Sequence, residues 1–231
     1  MICKRSAFRR ASLTVVVCVF LLAADSGLAA DSDTAAFNET MRRYFPKSAI
    51  NTVLYESDGA PLNRVYVCAE HPEISGTIYE RILLDLKGLR YGYVNDQIRI
   101  ESVSSATIGG SLTKAEFERV LAKEFPSLRS PKVTFSKKAI DIFGVYEKSY
   151  LVRVRALMRF RGRYEVDSKT GTAGLVFSDV TNDNAMVSAG EIAAALERCR
   201  PKLDFRFLPG NPPVRHVIVD ENRIWFSTIA R

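Results

Sequence analysis

The chain of 231 residues has few of the residues that metal centres and hydrolytic active sites usually need. Its two histidines, His71 and His216, lie far apart, and its four cysteines lack the paired spacing of a zinc site. The G-x-S-x-G, H-E-x-x-H and phosphate-loop motifs are also missing from the sequence. We therefore predict no metal site, and we expect that the protein is not an enzyme.

Two short segments imitate the motifs of serine acyl-enzymes. Ser111-Leu112-Thr113-Lys114 fits S-x-x-K and Lys169-Thr170-Gly171 fits K-T-G, but the Ser-Asp-Asn motif of that class is absent. Thr113 is better explained as a helix cap and Thr170-Gly171 as a hairpin turn.

An apolar run long enough to cross a bilayer is also lacking. The run Ala11–Ala24 is ended by Asp25, before the roughly 20 residues that a membrane span needs. Basic residues precede the run, and the small-residue stretch Gly27-Leu28-Ala29 follows it as a cleavage site. These features predict a signal peptide over residues 1–29, cleaved near Ala29, and a periplasmic or secreted protein of a bacterial cell envelope.

The predicted leader also changes the charge and the cysteine count. The chain has 33 basic and 26 acidic residues, and removing the four basic residues and one acid of the leader leaves 29 and 25, a net charge of +4. This surplus is compatible with acidic lipid headgroups or glycans and does not indicate nucleic acid. The two remaining cysteines, Cys68 and Cys199, form either one disulfide or two buried thiols.

Two similar capping boxes predict two helices. Thr113 and Glu116 begin one helix, predicted over Lys114–Phe125, and Ser188 and Glu191 begin the other, predicted over Ala189–Arg200. The two segments align at a constant offset of 75 residues, with apolar residues at helical spacing in both. This pattern predicts a duplicated unit, although chance similarity of common elements is the alternative.

Alternating strands surround each helix, so the predicted fold class is α+β. We expect one long, curved antiparallel sheet packed on two amphipathic helices, with a strand-helix-hairpin unit that is internally duplicated. The predicted strands are Arg64–Glu70, Thr77–Tyr93, Gln97–Ser105, Lys132–Phe135, Ile140–Ile142, Ser149–Asp167, Thr172–Val180, Val217–Val219 and Ile224–Phe226. Residues 30–61 form an N-terminal helix, near Thr34–Tyr44, and a lead-in, whereas 62–231 form a single domain with repeat units of about 62–145 and 146–231.

The order of elements resembles the LmeA-like family of exported phospholipid-binding proteins, over roughly Leu62 to Phe226. The segments that carry the resemblance are the strand Ile78–Leu86, the helix start Ser111–Phe117 and the closing stretch Leu203–Pro209 with the final strand pair. The resemblance implies a curved sheet packed on helices, similar to tubular lipid-binding folds, with an apolar cavity and no cofactor. It supplies no site residues.

An apolar groove between sheet and helices would hold an acyl chain. We predict that it is lined by Phe117, Val120, Leu121, Met158, Ile192 and Leu196, each of which fits a closed core equally well.

One strand carries a row of arginines. Because side chains alternate between the two faces of a strand, Arg153, Arg155, Arg159, Arg161 and Arg163 fall on one surface, opposite Val154, Met158 and other apolar residues. This row is either an anionic headgroup or membrane-surface contact, or a solvated face paired with acids on neighbouring strands.

We therefore expect an exported protein that binds phospholipid or another acyl-chain lipid without catalysis, with peripheral membrane contact and no nucleic-acid partner. The alternative is an envelope interaction module without a bound ligand, which holds an anionic polymer, a membrane surface or a partner protein through the cationic strand face.

Overall fold

The computed structural model describes residues 29–57, 60–95, 97–137, 139–149, 153–198 and 201–230. Within these ranges the chain forms three helices and fifteen strands, so the fold is of the α+β class with mostly antiparallel sheet. The predicted signal peptide lies almost entirely outside the described residues.

Helices and strands alternate in blocks along the chain. The helices are α1 (Ala29–Arg42), α2 (Lys114–Glu124) and α3 (Ala189–Arg198). The strands before α2 are β1 (Ala49–Ser57), β2 (Ala60–Glu70), β3 (Glu73–Ile74), β4 (Thr77–Ile78), β5 (Arg81–Lys87), β6 (Arg90–Val94), β7 (Gln97–Ser102) and β8 (Ser105–Thr113). The later strands are β9 (Leu128–Ser136), β10 (Ala139–Ser149), β11 (Arg153–Asp167), β12 (Thr172–Asn182), β13 (Lys202–Leu203), β14 (His216–Val219) and β15 (Arg223–Ser227).

Both predicted helix starts are confirmed. The Thr113 hydroxyl accepts the backbone N–H of Glu116 at 3.3 Å, and the Ser188 hydroxyl accepts that of Glu191 at 3.0 Å. The carboxylate of Glu116 accepts the backbone N–H of Ile78 at 3.2 Å instead, and so ties α2 to β4. A hydroxyl cap therefore starts each helix. The acid three residues later binds another element in both cases, because Glu191 likewise pairs with Lys148 on β10.

Two main sheets stand where the sequence predicted one. The larger sheet has the order β1-β2-β5-β8-β15-β14, and the smaller has the order β13-β12-β11-β10-β9. The chain crosses from the first sheet to the second through α2, and the free edge of β8 is taken by β15. β8 is thus paired on both sides, with β5 and β15, and β9 lies at one edge of the second sheet.

Several strand boundaries also differ from the prediction. The predicted strand Thr77–Tyr93 is divided among β4, β5 and β6, with a turn at Gly88, whose φ is +60°. A Cβ at Gly88 would lie 2.3 Å from the Ser104 hydroxyl oxygen, so only glycine fits there. β1 and β8 were not predicted. β1 has no clear alternation of apolar and polar residues, and the alternation of β8 is interrupted by Gly109 and Gly110.

The inward faces of both sheets share one apolar core with the helices. From α1 and the turn after it, Phe37, Met41 and Phe45 are fully buried in this core, and β1 pairs with β2. The N-terminal segment predicted as a lead-in therefore packs against the same core as the rest of the described chain.

The two helices differ in their surroundings. α2 packs mainly against β9, the strand that follows it, whereas α3 packs mainly against β12, the strand that precedes it. Each helix is nevertheless followed by a hairpin in the other main sheet: β9–β10 joins β11, and β14–β15 joins β8.

Candidate functional site

The alternation predicted for β11 is confirmed along its described length. Arg153, Arg155, Arg159, Arg161 and Arg163 have side-chain exposures between 49 and 67%. Val154, Ala156, Met158 and Phe160, which alternate with them, are at most 6% exposed. One surface of the smaller sheet therefore carries the whole row. We call this surface, with the outward side chains of β9 and β10 beside it, the arginine face.

One end of the arginine face is organised around Glu147 on β10. Its carboxylate lies 3.1 Å from Nε of Arg155, 3.3 Å from Nε of Arg153 and 3.2 Å from Nε of Arg129. The strand register explains this meeting, because Glu147 lies directly opposite Arg155 on β11. We call these four side chains the Glu147 cluster.

The hydrogen bonds from Arg155 and Arg129, together with the charge of Arg153, lower the pKa of Glu147 below its ordinary value. Glu147 is therefore ionised at neutral pH, and the Glu147 cluster holds three positive charges and one negative charge.

The other arginines are balanced by acids. Asp141 on β10 lies 3.3 Å from Arg161 and 3.8 Å from Arg159, and Asp179 on β12 lies 3.6 Å from Arg161. Glu165 pairs with Arg163 at 2.6 Å. A cavity of about 330 Å³ is lined by Asp141, Arg159, Arg161 and Asp179, together with Phe160 and Thr181. The positive surplus of the arginine face is therefore concentrated at the Glu147 cluster.

Apolar side chains are exposed between the two groups of charges. Phe143 on β10 and Leu157 on β11 are 49% and 47% exposed. Phe143 lies opposite Arg159 and Leu157 lies opposite Val145, so the two apolar side chains are diagonal neighbours across the strand pair. The arginine face thus has its positive surplus at one end, charge-balanced arginines at the other and apolar side chains between them.

The six side chains predicted to line a groove lie in the packed core. Phe117, Val120, Leu121, Met158, Ile192 and Leu196 are at most 8% exposed. The 330 Å³ cavity and a second cavity, of about 420 Å³ beside Asp204, Arg206, Phe207 and Asn211, are lined by other residues. In this conformation the six residues therefore contribute to the core, and acyl-chain binding by them stays a prediction.

The remaining predicted residues that the structure describes are buried, half-buried or hydrogen-bonded within the fold. Cys68 is a free, half-buried thiol on β2, whose pKa is raised mainly by burial, and Cys199 lies outside the described residues. The disulfide therefore stays a prediction.

Ser111, of the S-x-x-K match, is 1% exposed and donates to Glu80, which in turn pairs with Arg223 at 2.7 Å. Thr170 donates to Asp167 at 2.8 Å within the turn between β11 and β12.

The acids on neighbouring strands that the sequence analysis gave as one alternative are present, but sequence reasoning did not identify Glu147 or Arg129. The prediction ended the strand of β10 at Ile142, so it did not include Phe143, Val145 and Glu147. Their alternation with buried Gly144 and Tyr146 was the available signal. Arg129 was missed because β9 begins earlier than Lys132, the residue where the prediction began it.

Comparison with known proteins gave no match to any family model, curated protein or solved structure. Among the described residues, no helix combines the length and apolar character that crossing a bilayer requires. No group of three or more histidine, cysteine or acidic side chains in the described part of the chain is placed to hold a metal ion.

Proposed function

We propose that this protein attaches peripherally to anionic phospholipid through the arginine face. The observation that carries the proposal is the arrangement of that face, with exposed guanidinium groups around the exposed side chains of Phe143 and Leu157. Guanidinium groups suit phosphate oxygens, because their planar fork donates two parallel hydrogen bonds.

The apolar centre favours a lipid surface over a soluble anionic polymer. Phe143 and Leu157 would enter the boundary between headgroups and acyl chains, as apolar side chains of interfacial proteins do. The arginines would contribute about 1 kcal/mol each near an anionic leaflet. A ligand-free interaction module that uses the same face to hold a polymer or a protein is the alternative, and it does not require the two apolar side chains.

The test uses protein purified from cells that express the full chain, with vesicles of phosphatidylcholine alone or with phosphatidylglycerol. We expect binding to require phosphatidylglycerol and to weaken as salt screens the charges. Replacing Arg155 and Arg159 by Gln should lower the partition coefficient by about tenfold or more, at roughly 1 kcal/mol for each charge.

The matched control replaces Arg81 and Lys87 by Gln. These exposed residues lie on β5 of the other sheet and also have acidic partners. Equal losses for both pairs, or equal binding to neutral and anionic vesicles, would contradict the proposal.

Replacing Phe143 by Ser should weaken binding to vesicles but not to a soluble polyanion such as heparin, and this comparison separates the lipid from the polymer alternative.

Acyl-chain uptake is a second candidate, and the resemblance to LmeA-like proteins belongs to it. The helix α3 buries two apolar side chains, Ile192 and Leu196, whereas α2 buries three. Displacing α3 would cost less apolar burial than displacing α2 and would open the core to a lipid tail. Native mass spectrometry with lipid extraction tests this candidate, and protein that neither carries lipid nor takes up a fluorescent acyl probe would contradict it.

Export and internal duplication complete the proposal. The predicted leader supports export to the periplasm or medium, and the N-terminal sequence of the purified protein, expected near Ala30, tests it.

The paired hydroxyl caps at Thr113 and Ser188, each followed by a helix and then by a hairpin in the other sheet, support descent from a duplicated unit.

A further inference from the structure

We propose that the Glu147 cluster is a subsite for the terminal phosphate of a lipid headgroup, a phosphomonoester with two negative charges. This inference rests on the proposed function and deepens it, because it assigns recognition to Arg129, Arg153 and Arg155 rather than to the whole arginine row.

The first support is the way in which the guanidinium groups are held. All three contact Glu147 through Nε, at 3.1 to 3.3 Å. Their terminal nitrogens make no hydrogen bond to another part of the described chain. The side chains are 65 to 66% exposed, whereas that of Glu147 is only 13% exposed. Glu147 therefore positions the three groups from beneath and leaves their terminal N–H donors available to a ligand.

The second support is charge. The Glu147 cluster has two more positive than negative charges, which matches a phosphomonoester dianion. The pair Arg159 and Arg161 is balanced by Asp141 and Asp179. The 330 Å³ cavity beside this second pair is lined by both of those carboxylates, which would repel a phosphate. The cavity is therefore not the place where we expect an anion to bind.

The third support is the strand arrangement. Arg129, Glu147 and Arg155 lie on three neighbouring strands, β9, β10 and β11. The pairing of β10 with β11 is unbroken, and that of β9 with β10 shifts once, between Phe143 and Val145. A site on paired strands holds its donors with less loss of freedom than a site on loops. Leu157 lies two residues from Arg155 on the same face, so a bound headgroup would lie close to the apolar centre.

The experiment compares two double variants that remove the same charge from the same face of one strand. Arg153→Gln with Arg155→Gln is the test pair, and Arg159→Gln with Arg161→Gln is the matched control. Binding is measured to vesicles that contain phosphatidic acid, a phosphomonoester, or phosphatidylglycerol, a phosphodiester, at equal surface charge. Circular dichroism and the urea unfolding midpoint verify that each variant folds.

We expect the wild type to prefer phosphatidic acid. Both pairs should lose binding through the general attraction of about 1 kcal/mol for each charge. The test pair should lose about tenfold more than the control pair, because its charge-assisted bidentate contacts also disappear. Arg153→Lys with Arg155→Lys keeps the charge but removes the fork, so this variant should keep binding to phosphatidylglycerol and lose the preference for phosphatidic acid.

Three results would overturn the inference. Equal losses for the test and control pairs would mean that the face acts through diffuse charge. The proposed peripheral binding would then remain supported, and the proposed phosphate subsite would be contradicted. Binding of glycerol 3-phosphate in solution as tightly as vesicles would assign the site to soluble phosphate esters. Binding by the wild type that is independent of anionic lipid would remove the proposed function itself.

Discussion

Gly110 shows how a single position controls the packing of three strands. It lies on β8 between β5 and β15, opposite Ile82 and Phe226. A Cβ at this position would lie 2.4 Å from the ring of Phe226 and 2.7 Å from the backbone oxygen of Arg81. The ring and the strand could separate only by disturbing the core, because Phe226 also stacks on Phe205.

We therefore expect Gly110→Ala to lower the free energy of unfolding by about 1–3 kcal/mol, the usual cost of overpacking a core. Gly174→Ala is the control, because a Cβ on that strand residue would meet no atom within 4 Å. Urea unfolding measures both variants. Equal destabilisation would mean that the contacts of Gly110 are not the cause.

Asp167 connects stability to pH. Its carboxylate accepts the Thr170 hydroxyl at 2.8 Å and the backbone N–H of Lys169 at 2.9 Å, and these bonds lower its pKa from the ordinary value of 3.8. A carboxyl whose pKa is lower in the folded state stabilises the protein above the unfolded-state pKa. That contribution disappears as the pH falls through the folded-state pKa.

We expect Asp167→Asn to be less stable than the wild type at neutral pH, with a difference that shrinks as the pH falls below about 4. Unfolding free energies measured from pH 7 to pH 2 test this expectation. Thr170→Val removes the main hydrogen-bond donor and should reduce the pH dependence in the same direction. A difference between Asp167→Asn and wild type that does not change with pH would contradict the assignment.

At the scale of elements, the two helix caps are the clearest local signals. Thr113 and Ser188 each satisfy one backbone N–H that would otherwise lack an intrahelical partner. Because the signal is contained within four residues, the sequence was sufficient to place both helix starts.

Replacing either cap residue by Ala should lower the free energy of unfolding by about 0.5–2 kcal/mol. Thr113→Ser keeps the hydroxyl and should cost much less, which makes it the matched control at the same position. Thermal or urea unfolding of the three variants provides the measurement. If Thr113→Ser were as destabilising as Thr113→Ala, the cap hydroxyl would not be the source of the loss.

At the scale of the molecule, the two main sheets share one core. The buried cluster contains the inward side chains of both sheets, together with Phe37 of α1 and Phe117 of α2. A core that is continuous across sheets favours a single unfolding transition over separate ones.

We expect urea unfolding followed by the fluorescence of Trp225, the single tryptophan, to coincide with unfolding followed by far-ultraviolet circular dichroism. Phe37→Ala should shift both curves together and cost about 3–5 kcal/mol, because the ring is fully buried. Phe37→Leu is the milder control. Two separated transitions would show that the sheets unfold independently.

Much of the local structure was predictable because its causes are local. Hydroxyl caps fixed the starts of α2 and α3, and period-two alternation placed the arginines of β11 on one face. The N-terminal helix near Thr34–Tyr44 was also found, although its buried apolar residues, Phe37 and Met41, were not assigned to the main core.

Local patterns were therefore sufficient to predict most helices and strands and the side chains that share a face, although β1 and β8 were not found. Which strands are neighbours could be read only from the folded chain. Pairing between distant segments depends on which edges are already occupied, as β15 occupies the edge of β8. The same pairing brought Arg129, Glu147 and Arg155 together across β9, β10 and β11 and distributed the acids unevenly along the arginine row. The position of the positive surplus on the arginine face therefore depends on how neighbouring strands are aligned, and it cannot be read from one strand alone.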